Sequence, residues 1–219
     1  MKKIIYLLSC LLLVSCSQEQ SPVKNTIPIK TATKDKPVLN NSLNKVVPIP
    51  KSVVEIKQSY TATINKLKNG VLDSITLKYN CNNERSGTIV YFSENGKLLM
   101  IKHNYNEYDH HSATDQYFLN DKTLYFAYLN RLSWSFVSGA TAEGATKDDI
   151  TEQRLYIVDN QAIQCLEKKY SIFSQATNNP KPNAVPNKLV NCKPLKPIIS
   201  EFNKLLAFQH NSKKGCLEK

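Results

Sequence analysis

The chain has 219 residues, a formal charge of +11 and 41% hydrophobic residues, with ten Pro and six Cys. Its dispersed lysines suit an anionic lipid or polysaccharide surface, or simply a solvated face, and with the export signal described next they speak against nucleic acid as a partner. There is no CxxC, no dinucleotide fingerprint and no P-loop, so thioredoxin-like redox chemistry and nucleotide binding through those motifs are excluded.

The N-terminus reads MKKIIYLLSCLLLVSC. Lys2 and Lys3 form a charged region and residues 4–14 an apolar run too short to span a bilayer comfortably. Its end, Leu13-Val14-Ser15-Cys16, resembles the lipobox of bacterial lipoproteins. The resemblance implies that residues 1–15 are a signal peptide, that Cys16 becomes the first mature residue and carries lipid, and that several acyl chains hold it durably. Ser17 follows where an Asp often retains such proteins at the inner membrane, which implies anchoring at the outer membrane, on its periplasmic or surface-facing side. Loss of residues 1–15 leaves 27 basic against 18 acidic residues, a formal charge of +9.

With Cys10 removed and Cys16 lipidated, Cys81, Cys165, Cys192 and Cys216 remain. An exported domain with four cysteines is expected to form two disulfides, with three pairings open. Cys192–Cys216 is favoured because the two flank the last helix, leaving Cys81–Cys165 to cross-link the sheet. Zinc binding by four thiolates fits neither their spacing nor an oxidising compartment.

Residues 16–50 carry the lipidated Cys and then a tether rich in Ser, Pro, Lys, Asn and Thr, interrupted by Pro22, Pro28, Pro37, Pro48 and Pro50. A flexible coil of this length reaches roughly 30 Å. Residues 51–219 form a single domain. It opens with a helix over 53–68, capped by Ser52 with Glu55 as a capping-box partner. Val53, Ile56, Tyr60, Ile64 and Leu67 make one apolar stripe, and Asn69-Gly70 stops the helix.

Short apolar and aromatic strands follow at 74–79, 88–92, 97–102, 114–119, 123–129, 132–137, 152–158 and 162–167, between turns of Asn, Asp and Gly. They predict an α+β fold, an antiparallel β-meander or curved half-barrel packed against an N-terminal and a C-terminal helix. Tyr91-Phe92-Ser93-Glu94-Asn95-Gly96-Lys97-Leu98 has counterparts starting at Tyr117 and Tyr156, spaced 26 and 39 residues apart. Each is strand, polar turn, strand, and the unequal spacing favours a meander over a solenoid. This pattern of aromatic strand and Asn-Gly-Lys turn resembles uncharacterised lipoproteins of Bacteroidetes-like bacteria; the resemblance implies no activity. Residues 139–149 and 174–194 are expected to be a loop and a Pro-rich linker. A second helix begins near Pro197 with Ile198, Phe202, Leu205 and Leu206 on its apolar side. His210, Lys213 and Lys214 lie at or beyond its C-terminal end, where positive charge is favoured.

Several strands are apolar on both faces, so the second face either packs on a helix or holds a ligand. Tyr125, Tyr128 and Trp134 are the candidate binding surface, with core packing as the alternative. His103, Asp109, His110 and His111 could supply metal ligands, but adjacent histidines do not converge without a bent loop and the bland reading is a solvated hairpin loop over 102–111. Asp148, Asp149 and Glu152 lack EF-hand spacing. Ser138 lies between Val137 and Gly139, without the glycine framing of a nucleophile elbow. No catalytic, cofactor or metal residue is therefore assigned.

The reading is a non-enzymatic envelope module, anchored by lipid, that binds another envelope protein, a lipid or a glycan, or serves a structural role there. Leu77-Lys78-Tyr79-Asn80-Cys81-Asn82, with the later Ser138-Gly139-Ala140, resembles membrane-bound lysozyme inhibitors, which implies blockage of a lysozyme cleft by a Ser- and Lys-bearing loop. Thr141-Ala142 and the two helices depart from that family, and a positive inhibitor meets a usually positive lysozyme. An enzyme whose residues converge only in three dimensions is the third reading.

Overall fold

The computed structural model describes residues 48–139, 143–211 and 215–217. The expected signal peptide, Cys16, most of the tether, Ala140, Thr141, Ala142, Lys213 and Lys214 lie outside them. The described chain runs α1 (Val53–Lys68), β1 (Asp73–Cys81), β2 (Arg85–Glu94), β3 (Lys97–Glu107), β4 (His111–Asn120), β5 (Thr123–Phe136), β6 (Thr146–Val158), β7 (Gln161–Phe173), a 3-10 turn (Pro182–Ala184), β8 (Lys188–Val190) and α2 (Lys196–Asn211). The strands form one open antiparallel sheet in sequential order, β1 to β8, with β1 and β8 as edges. This is the expected α+β meander with two helices.

The local chemistry of α1 follows the sequence closely. Ser52 Oγ accepts from the Glu55 amide at 3.2 Å, and Glu55 reaches back one residue further than a capping box requires, to the Lys51 amide at 2.7 Å. Gly70, with φ +67°, supplies the left-handed stop. The apolar stripe packs on Met100, Phe118, Phe126 and Tyr156, with the Tyr60 ring edge-on to Phe118 and Phe126. On the opposite face of the sheet, Phe202, Leu205 and Phe208 of α2 pack on Tyr79, Tyr91, Tyr117, Leu129 and Leu155. Helices on both faces explain why the strands are apolar on both.

The threefold sequence repeat is a repeat of geometry. Asn95-Gly96, Asp121-Lys122 and Asp159-Asn160 all take positive φ at both positions, the conformation whose twist matches a right-handed hairpin. Each hairpin then carries a bulge in the same place, at Phe92/Ser93, Phe118/Leu119 and Tyr156/Ile157. The extra residue in the second is Tyr125, since Phe118 pairs Phe126 and Leu119 pairs Leu124. A bulge re-aims a side chain, and here it turns Tyr125 onto the α1 side, where it is buried.

Five expectations are corrected. Segments 123–129 and 132–137 are one 14-residue strand, β5, because Asn130 and Arg131 stay in register with Thr114 and Ala113. The polar cluster at 102–111 is strand through Glu107 and again from His111, leaving only 108–110 as turn. The expected loop at 139–149 gives way to β6 from Thr146, and the expected linker at 174–194 contains β8.

The fifth correction concerns the disulfides, which pair Cys81 with Cys216 and Cys165 with Cys192, at Cα separations of 4.8 and 5.3 Å. The favoured pairing is not the one formed. The 16 residues of α2, about 24 Å long, separate Cys192 from Cys216, and each bonds a strand instead. Cys81 on β1 and Cys165 on β7 lie six strands apart, about 29 Å. Each bridge instead fastens one end of α2 to one side of the sheet.

Candidate functional site

The α1 helix covers only the end of its face near the three bulged turns. Beyond it the same face is open, and its side chains fall into rows across the strands. One row runs Lys78, Thr88, Asn104, Thr114, Asn130, Glu152 and Lys168 through successive register pairs, and the next runs Asn80, Ser86, Asn106, Ser112, Leu132, Ile150 and Tyr170. Over β1–β5 these positions line a groove of about 880 Å³. Stations along a row repeat about every 4.8 Å, and the rows lie about 7 Å apart.

The groove is a checkerboard of amides and hydroxyls. Thr114 donates to Asn104 Oδ1 at 2.9 Å, and Asn80 bonds Asn83 across the β1–β2 turn at 2.8 Å. Among the described residues Ser86, Thr88, Asn106, Ser112 and Asn130 make no side-chain hydrogen bond to protein, so their capacity faces the groove. The intervening residues of the same strands, Tyr79, Tyr105 and Ala113, turn to the α2 side and are buried. The sequence signal was this strict alternation, polar residues two apart around an apolar one, partly hidden by assigning Asn104 and Asn106 to a loop.

Toward β6 and β7 the face changes character. Glu152 is 4% exposed, accepts from Tyr128 at 2.6 Å and Tyr170 at 3.2 Å, and pairs with Lys168 at 2.9 Å. Burial opposes its ionisation, but these donors outweigh it and hold the carboxyl below the usual range. Lys168 also donates to the Pro182 carbonyl, drawing the 174–187 segment over this side. Of the three candidate aromatics, Tyr128 is tied to Glu152 with the Arg154 guanidinium 4.8 Å over its ring. Trp134 donates to the Asp109 carbonyl at 2.6 Å and stacks on His110 at 4.1 Å. These two share one face, Tyr128 beside the α1 cluster and Trp134 at the far end of β5; Tyr125 is buried within that cluster.

Beside its apolar core, the α2 face carries a polar cluster, buried at His103 and Asp115. Arg85 pairs with Glu201 of α2 at 2.5 Å and lies 4.5 Å over the Tyr105 ring, while Arg131 holds Asp115 at 3.1 Å. His103 is fully buried, stacks on Tyr105 and bonds the Tyr79 hydroxyl at 2.8 Å. Burial and then the nearby Arg85 charge push its pKa down to about 3. Burial likewise raises Asp115, against the pull of Arg131.

The metal candidates are thus dispersed: His103 lies under α2 and His110 at the rim beside Trp134. Among the described residues no group of His, Cys, Asp and Glu is arranged to hold a metal. Asp148 and Glu152 share a face while Asp149 points the other way and pairs with Lys147. Ser138 is exposed in the β5–β6 connection. Leu77 to Asn82 form the end of β1 and its turn, with Cys81 bonded to Cys216. Comparison with protein families, curated proteins and solved structures returned no match.

Proposed function

We propose that this chain is a non-enzymatic binding module of the bacterial cell envelope, held to a membrane by lipid on Cys16, whose open sheet face captures a glycan. The observation that carries the reading is the pair of cross-strand rows at Thr88, Asn104, Thr114 and Asn130 and at Ser86, Asn106 and Ser112. Their regular amides and hydroxyls, uncommitted except where Thr114 bonds Asn104, suit a linear hydroxyl-rich polymer. Such groups form many neutral hydrogen bonds, each of modest net value, which add up only along an extended ligand. An acyl chain would leave the amides unsatisfied in the bound state. Among the described residues lining the groove there is no carboxylate, imidazole or thiol, which supports capture rather than turnover.

The test is a glycan-array screen of the full chain in detergent, followed by Asn106→Ala/Ser112→Ala. We expect retention of at least one polysaccharide class and a loss on the order of tenfold or more in the double variant, with unchanged thermal stability. A chain that retains no glycan, or a double variant that binds as well as the parent, overturns the reading. For the anchor, Cys16→Ser is expected to abolish lipid labelling and release the protein from membranes; unchanged labelling and attachment defeat it.

A further inference from the structure

The charge around the groove is one-sided. Lys78 lines it, in register with Thr88. Lys102 stands on the same face two residues along β3 from Asn104, in register with Val90 and Gln116. No Asp or Glu is among the described lining residues. The carboxylate that the first row meets further on, Glu152, is occupied by Tyr128, Tyr170 and Lys168, so it does not neutralise either lysine. Among the described residues neither Lys78 nor Lys102 forms an ion pair. A neutral glycan would satisfy the amides and hydroxyls and leave both cations without a counter-charge.

Resting on the glycan reading, we infer that the groove selects an acidic polysaccharide, a linear glycan bearing carboxylates, with Lys78 and Lys102 meeting its acid groups while Asn104 and its neighbours bond its hydroxyls. Two separated ammonium groups meet single charges spaced along a chain. A doubly charged phosphate is better matched by a convergent guanidinium fork, and no arginine is among the described residues that line the groove. Complementary charge of this kind speeds encounter and rejects wrong ligands more than it deepens affinity, so the effect is one of selection.

The experiment compares polygalacturonate with its fully methyl-esterified form, the same backbone without charge, using the full chain in detergent at low and high salt. Polyphosphate is the third probe. The acid form is expected to bind more tightly, with affinity falling as salt rises. Lys78→Gln/Lys102→Gln is expected to lose roughly three- to tenfold for the acid form, removing most of its advantage over the ester, whose own binding falls less. Equal binding of acid and ester, with no effect of the double variant, overturns the charge selection and leaves the glycan reading standing. Tighter binding of polyphosphate overturns the choice of carboxylate. Binding of neither polysaccharide, together with a blank glycan array, overturns both readings.

Discussion

Tyr79 reaches across strand β2 to His103 on β3, hydroxyl to Nε2 at 2.8 Å. Gly87 makes the reach possible. It sits between Tyr79 and Tyr105 in register, and a methyl group there would lie 2.9 Å from the Tyr79 ring and 2.5 Å from the Asn104 carbonyl oxygen. A glycine inside a strand ordinarily weakens it; here the missing side chain lets one aromatic lie over the neighbouring strand and fixes a buried imidazole.

Gly87→Ala is therefore expected to destabilise the domain by about 1–3 kcal/mol through overpacking. Tyr79→Phe keeps the ring and leaves His103 short of one partner, at about 1–2 kcal/mol. Urea denaturation measures both. A Gly87→Ala protein as stable as the parent would contradict the packing account.

His103 should also give the domain a pH signature. Its folded pKa of about 3 lies below the ordinary 6.5, so the folded state binds fewer protons than the unfolded one and stability rises with pH. The contribution is complete above pH 6.5 and is lost as pH falls toward 3. Between pH 6.5 and 5, where most carboxylates are still ionised, the loss is expected to be about 2 kcal/mol. His103→Asn should lower stability at pH 7 but flatten the slope in that window. An unchanged slope in the variant would assign the dependence to other groups.

The two disulfides hold α2 at its two ends but close loops of very different length, with sequence separations of 135 and 27 residues. Cys81→Ser/Cys216→Ser and Cys165→Ser/Cys192→Ser are each expected to cost about 2–5 kcal/mol, the first pair more by about 1–2 kcal/mol on loop entropy. Peptide mapping without reductant checks the pairing directly. A peptide joining Cys192 to Cys216 would refute it.

What was legible in the sequence was local. The helix over 53–68, its Ser52 cap, its apolar stripe and the meander all follow from periodicity and turn chemistry within a few residues. The pairing of cysteines was not legible, because it depends on how wide the sheet is and how long α2 is relative to it. Nor was the placement of Tyr125, since a bulge shifts the side-chain alternation without changing the residue pattern. The groove lay between these cases. Each strand shows its own polar alternation, but only register aligns Thr88, Asn104, Thr114 and Asn130 into a row. His103 was misplaced for the opposite reason: its polar neighbours hid that it lies on the buried side of an alternating strand.

Glu152 and Lys168 form the other buried pair, 2.9 Å apart on adjacent strands, with Tyr128 and Tyr170 completing the carboxylate's bonds. Glu152→Gln removes the charge and leaves the Lys168 ammonium, 7% exposed, without its near counter-ion. Breaking a buried pair from one side costs about 3–5 kcal/mol, whereas removing both charges costs much less. Lys168→Met added to Glu152→Gln is therefore expected to recover part of the loss. Lys168 also bonds the Pro182 carbonyl, so either variant should loosen the 174–187 segment and quicken its proteolysis. If Glu152→Gln unfolds no more easily than the parent while that segment is cleaved faster, the pair serves to hold the segment down and contributes little to the stability of the sheet.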